Sequence, residues 1–180
     1  MATLLVVGIW PVTSAFEGFV MAEGVPIQPK DGRSFFMLPQ APEEAGYYIY
    51  GTPGAGAHQY AHPSMLTLIF WVEKEWAATE KRKFGVGNIS MADKAVTGEH
   101  RSHVNGLQVD VRPVRKDGLH LPVTWRQSDY DAEATEKLIG IFFSHPLVKV
   151  VLFNDTRIPG VRRWDKHDDH FHVGLRLGAT

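Results

Sequence analysis

The chain has 180 residues, of which 44% are hydrophobic, enough for one well-buried core and too few for two. Its 19 basic and 20 acidic side chains leave a formal net charge of -1, which gives no electrostatic reason to expect a nucleic acid or an anionic membrane as partner. The absence of cysteine excludes disulfides, thiolate metal sites and cysteine nucleophiles, so any metal must be held by nitrogen and oxygen. We therefore expect a single domain over residues 1–180.

The sequence of the amino-terminal region predicts one strand followed mainly by loops. An apolar run from Leu4 to Trp10, ended by Pro11, predicts a first buried strand. A cleavable signal peptide is the alternative for this run, although no Lys or Arg precedes it. Gly, Pro and charged residues surround the short apolar run 35–38 and predict loops with a hairpin. We expect residues 1–44 to pack on the core as a divergent segment.

Two helices and several strands are predicted downstream. Apolar residues at helical spacing predict a helix from Pro63 to about Arg82. A second helix begins near Asp131 and ends before Pro146. Strand-like segments lie at 46–51, 84–90, 107–113, 148–153 and 170–177. This order predicts an α+β fold with a central antiparallel or mixed sheet flanked by helices.

The last strand-like segment, HFHVGLRL, has a clear two-residue alternation. Phe171, Val173 and the other apolar side chains would face the core, while His170 and His172 would share the opposite face. Two residues of strand separate these histidines by about 7 Å. They are near enough to serve one metal ion, or one ion and its bound water.

The segment HRSHVNGLQVD predicts a similar polar face. Alternation in 107–113 points Asp110 away from the core, and Asn105 and Gly106 allow the chain to turn so that His103 returns beside this carboxylate. Two imidazoles and one carboxylate suit zinc with an open fourth position. Taken alone, an H-x6-D match is common by chance and an H-x-H pair on a strand is often a solvated face. Their combination favours a metal site.

These residues resemble the penicillin-insensitive murein endopeptidase family, which belongs to a wider group with lysostaphin, the D-alanyl-D-alanine metallopeptidases and the hedgehog signalling domain. The wider group has H-x6-D followed by H-x-H, here His103 to Asp110 and His170 to His172. The resemblance to the endopeptidase family is carried by further segments in the same order: YYIYGTPG, QYAHPSMLTLI, GVGNIS, HRSHVNGLQVDVR and HDDHFHVGLRL. It covers roughly residues 45–177 and does not extend to 114–165.

The resemblance implies a hedgehog- and peptidase-like fold and a role for each histidine of the two runs. The implied zinc ligands are His103, Asp110 and His172. His170 and His167 match the family's active-site histidines. His100 matches a histidine close to the first ligand, with a role left open between a further metal contact, a hydrogen-bond partner of a ligand and a substrate contact.

The implied activity is zinc-dependent hydrolysis of the peptide cross-links of bacterial peptidoglycan, at a D,D- or an L,D-type bond. The alternative is a zinc-stabilised cell-wall or protein binding module without hydrolytic activity, since the hedgehog domain belongs to the same group. The implied location is the periplasm or the bacterial cell envelope. Because no signal peptide is evident, we expect delivery by a phage lysis programme, delivery by a specialised secretion machine, or prior removal of a signal peptide.

Overall fold

A five-stranded mixed sheet forms the centre of the computed structural model, which describes residues 28–40, 45–94 and 103–176. A separate two-stranded ribbon and two α-helices complete this part of the chain. The predicted α+β class with a mixed sheet is confirmed. The predicted strand at Leu4 to Trp10 lies outside the described residues, as does His100, the histidine expected close to the first zinc ligand.

The secondary structure elements have the following bounds. The strands are β1 (Phe36–Met37), β2 (Tyr47–Ile49), β3 (Tyr60–Ala61), β4 (Phe84–Val86), β5 (Gln108–Val111), β6 (Val148–Leu152) and β7 (Phe171–Leu175). The helices are α1 (Pro63–Ala77) and α2 (Ala132–Ser144), with a short 3-10 turn at Ala92–Lys94. The sheet order is β2-β4-β5-β7-β6, in which only β2 and β4 run parallel, and β1 pairs with β3 in the ribbon.

Helix α1 begins as predicted but is shorter than predicted. The His62 side chain caps it by accepting a hydrogen bond from the Ser64 backbone N–H, and proline occupies the first helical position. The helix ends at Ala77 rather than near Arg82, because the indole N–H of Trp76 donates to the Arg82 carbonyl at 2.6 Å and the chain turns back over the helix end. Helix α2 begins after Asp131, whose carboxylate accepts from the Ala134 N–H.

The two faces of the sheet differ in composition. On one face, Phe142 of α2 lies edge-on to Phe84 of β4 and to Phe171 of β7, with ring centroids 6.4 and 5.8 Å apart. The predicted inward side chains Val109, Val111, Phe171, Val173 and Leu175 are all buried in this core. The opposite face therefore carries the alternate side chains of β5 and β7, as the alternation predicted.

Strand β4 stops earlier than the predicted 84–90 segment. The side chain of Asn88 accepts a hydrogen bond from the Thr52 N–H, and the backbone of Ile89 donates to the His58 carbonyl, so both residues bond to the loop after β2. Within the described residues, no helix combines the length and apolarity needed to cross a membrane.

Candidate metal centre

Pairing between β5 and β7 places the first two site residues side by side. Asp110 and His172 are direct cross-strand partners in this antiparallel pair. Both side chains extend from the face away from the helices, since their neighbours Val109, Val111 and Val173 are in the core. The predicted facing of both residues is confirmed.

A tight turn before β5 returns His103 to the same place. Gly106 has φ +65°, and a Cβ at this position would lie 2.6 Å from the His62 backbone nitrogen, so glycine is required there. The Asn105 side chain accepts from the Leu107 N–H at 3.1 Å and stabilises the turn. As a result Nε2 of His103 lies 3.2 Å from Oδ1 of Asp110.

The three side chains form a compact, buried donor set. Nδ1 of His172 lies 3.0 Å from Oδ1 of Asp110, and one ligand atom from each of the three residues lies within 4.8 Å of the others. Metal–ligand bonds of about 2.0–2.1 Å in a tetrahedral site separate neighbouring ligand atoms by about 3.3 Å. The distances from Asp110 to both imidazoles are close to that spacing, so the buried group His103, Asp110 and His172 could hold a metal ion.

The hydrogen bonding of His103 prepares one ring nitrogen for a metal. Nδ1 of His103 lies 3.0 Å from the Ile89 carbonyl oxygen, which can only accept. In a metal-bound neutral ring the proton would therefore sit on Nδ1 and Nε2 would present its lone pair to the ion, whereas without a metal a proton on Nε2 can donate to Asp110. A ligating histidine commonly has this kind of backbone partner, which fixes the tautomer and the ring orientation.

Asp110 is buried as an anion. Burial alone would raise the pKa of this carboxyl, but hydrogen bonds from His103 and His172 outweigh burial and hold the pKa below its usual range. Only 7% of the residue is exposed. Cationic or proton-sharing partners are thus required around this carboxylate, and a bound metal would supply the same compensation.

His170 lies next to the donor set on the same strand face. Its Nε2 is 3.9 Å from Oδ1 of Asp110, and its Nδ1 is 2.9 Å from Oδ1 of Asp169. Burial would lower the pKa of His170, but the hydrogen bond to Asp169 and the charge of Asp110 outweigh it and raise the pKa. The side chain of His170 is 24% exposed, against 4% for His103. His170 can therefore contact both the donor set and a ligand that arrives from solvent.

His167 completes the histidine cluster. Its ring centroid is 4.7 Å from that of His170 and 5.9 Å from that of His172. Nδ1 of His167 lies 2.7 Å from the Asp165 carbonyl oxygen, so the neutral ring carries its proton there and leaves Nε2 with a lone pair. Burial lowers the pKa of His167, and the bond to the Asp165 carbonyl offsets this only in part.

The two acidic residues between these histidines have different environments. Asp169 contacts His170, whereas Oδ1 of Asp168 accepts hydrogen bonds from Trp125 at 2.7 Å and Asn154 at 3.2 Å. Asp168 therefore fixes the loop, and Asp169 is the orienting carboxylate.

The remaining histidines of the described chain have structural contacts. His62 caps α1, His145 ends α2, and His120 stacks on Tyr48 with centroids 3.9 Å apart. His58 is buried with Nδ1 3.0 Å from the Thr52 carbonyl oxygen, and its ring centroid is 6.1 Å from that of His103. His58 thus packs beside the donor set.

Tyr50 joins the site from a strand that the sequence did not connect to it. Burial and the charges of Asp110 and Asp169 raise the pKa of its hydroxyl, and the charge of Arg112 offsets this only in part. Tyr48 and Tyr50 are two residues apart, a spacing that places both side chains on one face.

Comparisons with known protein families and with curated protein sequences find no match to this chain. The geometry of the site and the chemistry of its donors therefore carry the functional argument.

Proposed function

We propose that this chain is a zinc-dependent endopeptidase that hydrolyses the peptide cross-links of bacterial peptidoglycan. The observation that carries the proposal is the buried donor set of His103, Asp110 and His172 with two further histidines beside it. The resemblance of the two histidine runs to the murein endopeptidases supports the substrate class and a hedgehog- and peptidase-like fold.

Zinc fits the donor chemistry better than the common alternatives. Magnesium and calcium prefer sites made of oxygen atoms, whereas two imidazoles and one carboxylate are a usual catalytic zinc set. Three protein ligands leave a fourth position for substrate or water, while a structural site is normally closed by four. Zinc bound there would polarise the scissile carbonyl and activate a water molecule for attack.

His170 is suited to hold and donate a proton. Its Nδ1 is engaged by Asp169, which favours the charged ring and directs Nε2 towards Asp110 and the donor set. A proton on Nε2 can stabilise the oxyanion of the tetrahedral intermediate or pass to the leaving amine. This role places His170 in contact with the reacting atoms.

His167 is suited to accept a proton. The Asp165 carbonyl fixes the proton of the neutral ring on Nδ1, so the lone pair on Nε2 is available to a water molecule or an amine. The pKa values of His167 and His170 shift in opposite directions, the pattern expected for a base and an acid that share one site. No nucleophilic serine or covalent intermediate is required.

The substrate of such an enzyme lies in the bacterial cell envelope. We propose the periplasm or the envelope as the place of action. Cytoplasmic expression should be harmless, and periplasmic targeting should damage cells through the active site. Equal toxicity of the wild type and of His172→Ala in the periplasm would contradict this location.

Digestion of purified sacculi tests the proposal. The zinc-loaded wild type should release uncross-linked muropeptides, whose masses identify the cleaved bond as D,D or L,D. His120→Ala is the matched control, because this exposed histidine stacks on Tyr48 outside the donor set and should leave activity unchanged. Intact cross-links after incubation with fully zinc-loaded protein would refute the enzyme and favour a zinc-stabilised binding module.

A further inference from the structure

Two tyrosines lie flat over the sheet on the side of the metal centre. A Cβ on Gly85 would approach the ring of Tyr48 to 2.7 Å, and a Cβ on Gly87 would approach the ring of Tyr50 to 2.4 Å. The glycines therefore create the space that these rings occupy. The backbone N–H of Gly87 donates to the Asp110 carbonyl at 2.7 Å, so the Tyr50 ring covers the part of the sheet adjacent to the donor set.

Arg112 lies against Tyr50 on the same face. It follows Asp110 by two residues, so the two side chains leave the backbone about 7 Å apart in the same direction. The guanidinium carbon of Arg112 is 4.2 Å from the centroid of the Tyr50 ring. This stacking fixes the plane of the guanidinium.

Three polar side-chain atoms of this pair are buried without a hydrogen-bond partner among the described residues. Nε and Nη1 of Arg112 and the hydroxyl of Tyr50 have no hydrogen-bond partner among the described residues. Leaving buried donors unpaired is costly, more so when they are charged, so such atoms call for a ligand. Among the described residues, the only other buried side-chain atom without a hydrogen-bond partner is Oε1 of Gln108, which precedes Asp110 by two residues on β5.

We propose that Arg112 and Tyr50 form a carboxylate-binding subsite beside the metal centre. The proposal rests on the proposed peptidase function and deepens it. The enzyme then selects peptides that carry a free carboxylate next to the bond that is cut. In a cross-link to a diamino acid such a carboxylate sits on the carbon that bears the scissile nitrogen.

The chemistry of the pair fits a carboxylate. A guanidinium offers a planar fork of N–H donors that matches the two oxygens of a carboxylate, and a neighbouring hydroxyl adds a third donor. Burial raises the pKa of Tyr50 well above its usual value, so the hydroxyl keeps its proton and can donate.

The nearby acidic side chains do not occupy this pair. Asp169 is engaged with His170, and Asp110 with His103 and His172. Each carboxylate thus has its own hydrogen-bond partners. The charge of Arg112 contributes to the lowered pKa of Asp169, but within the described residues no hydrogen bond or ion pair joins these two side chains.

A pair of small probes tests the subsite: N-acetyl-D-alanyl-D-alanine and its carboxamide, which differ only in the free carboxylate. Their dissociation constants can be measured by NMR titration with both metal-free and zinc-loaded protein, so that direct binding of the acid to zinc is separated from binding to Arg112. We expect the wild type to bind the acid about 10- to 100-fold more tightly than the amide in both forms, as charge-assisted hydrogen bonds imply.

Variants assign this preference to the pair. Arg112→Met should abolish it and leave amide binding unchanged, Arg112→Lys should retain a part through its point charge, and Tyr50→Phe should reduce it several-fold. Gln108→Ala, on the opposite side of Asp110, is the control that should keep the preference. Arg112→Lys and Tyr50→Phe keep the test valid if Arg112→Met fails to fold.

The outcomes separate the two proposals. A wild type without acid preference in the metal-free form, or a preference that survives in Arg112→Met and Tyr50→Phe, would overturn the subsite. Hydrolysis of peptidoglycan without such a preference would leave the peptidase standing and remove the subsite. Arg112-dependent binding of the acid by a protein that leaves sacculi intact would support the carboxylate subsite and refute the peptidase.

Discussion

Gly87→Ala should distort the face of the sheet that carries Tyr50, although it adds only one methyl group. The new Cβ would lie 2.4 Å from Cζ and 2.7 Å from the hydroxyl oxygen of Tyr50, whereas carbon atoms in contact prefer about 3.5–4.0 Å. The ring must therefore retreat by roughly 1 Å. The guanidinium of Arg112 stacks on the same ring, so this movement also disturbs the arginine.

The size of the effect follows from two opposing terms. Overpacking of this kind costs about 1–3 kcal/mol, while replacing a strand glycine by alanine returns about 0.5–1 kcal/mol of backbone entropy. We expect a net loss of about 1–2 kcal/mol, which for a chain of this size lowers Tm by roughly 2–8 °C. Differential scanning calorimetry of the purified variant measures this shift, and the acid preference of the probe peptides should fall with it.

A double-mutant cycle identifies the cause. In the Tyr50→Ala background the methyl group meets no ring, so Gly87→Ala should cost nothing or stabilise, with a coupling energy of about 1 kcal/mol or more. Gly54→Ala is the control, because a Cβ there has no neighbour within 4 Å. A Gly87→Ala protein as stable as the wild type, or a cost that persists without the Tyr50 ring, would refute this packing.

Three further predictions concern the metal ligands, the proposed proton donor His170 and the pH dependence of stability. His103→Ala and His172→Ala should each abolish zinc binding, measured by metal analysis. Only partial loss of the fold is expected, because neither side chain lies in the apolar core between the sheet and the helices; full zinc occupancy in both variants would exclude this ligand set. His170→Ala should keep its zinc and lose activity by about 10²- to 10⁴-fold in a muropeptide release assay, and loss of zinc from this variant would make His170 a ligand. The carboxylate of Asp155 accepts hydrogen bonds from Arg157 at 2.6 and 2.8 Å. Burial would raise the pKa of this carboxyl, but these bonds outweigh burial and lower the pKa. The ionised carboxylate therefore stabilises the fold above about pH 4, and this stabilisation is lost as the pH falls through the lower folded-state pKa. Urea unfolding between pH 7 and 2 should show this loss in the wild type and a flatter profile in Asp155→Asn; identical slopes would contradict it.

Short-range patterns predicted the face of the sheet on which the donor set lies, whereas the choice of His172 rather than His170 as a ligand came only from the family resemblance. The alternation of β7 placed Phe171 and Val173 in the core, and this alone fixed the face on which His172 emerges. Asn105 and Gly106 likewise marked the turn that returns His103 to Asp110. These features depend on two or three consecutive residues, so the sequence contains all the information they need.

Long-range packing determined what the sequence could not predict. The end of α1 depends on the bond from Trp76 to the carbonyl of Arg82, which a helical pattern does not encode. Tyr50 reaches the site only because β2 pairs in parallel with β4 and because Gly87 leaves room for its ring. Strand neighbours of this kind are set by the global sheet order rather than by local propensity.

Titration of the metal-free protein with zinc, while muropeptide release from purified sacculi is followed, tests the central claim most directly. If the buried donor set holds the catalytic zinc, release should rise in proportion to added zinc and reach a plateau at one equivalent per chain. The same titration of His172→Ala should give no release at any zinc concentration. Release by the metal-free protein, or no release at one bound zinc per chain, would contradict a zinc-dependent endopeptidase.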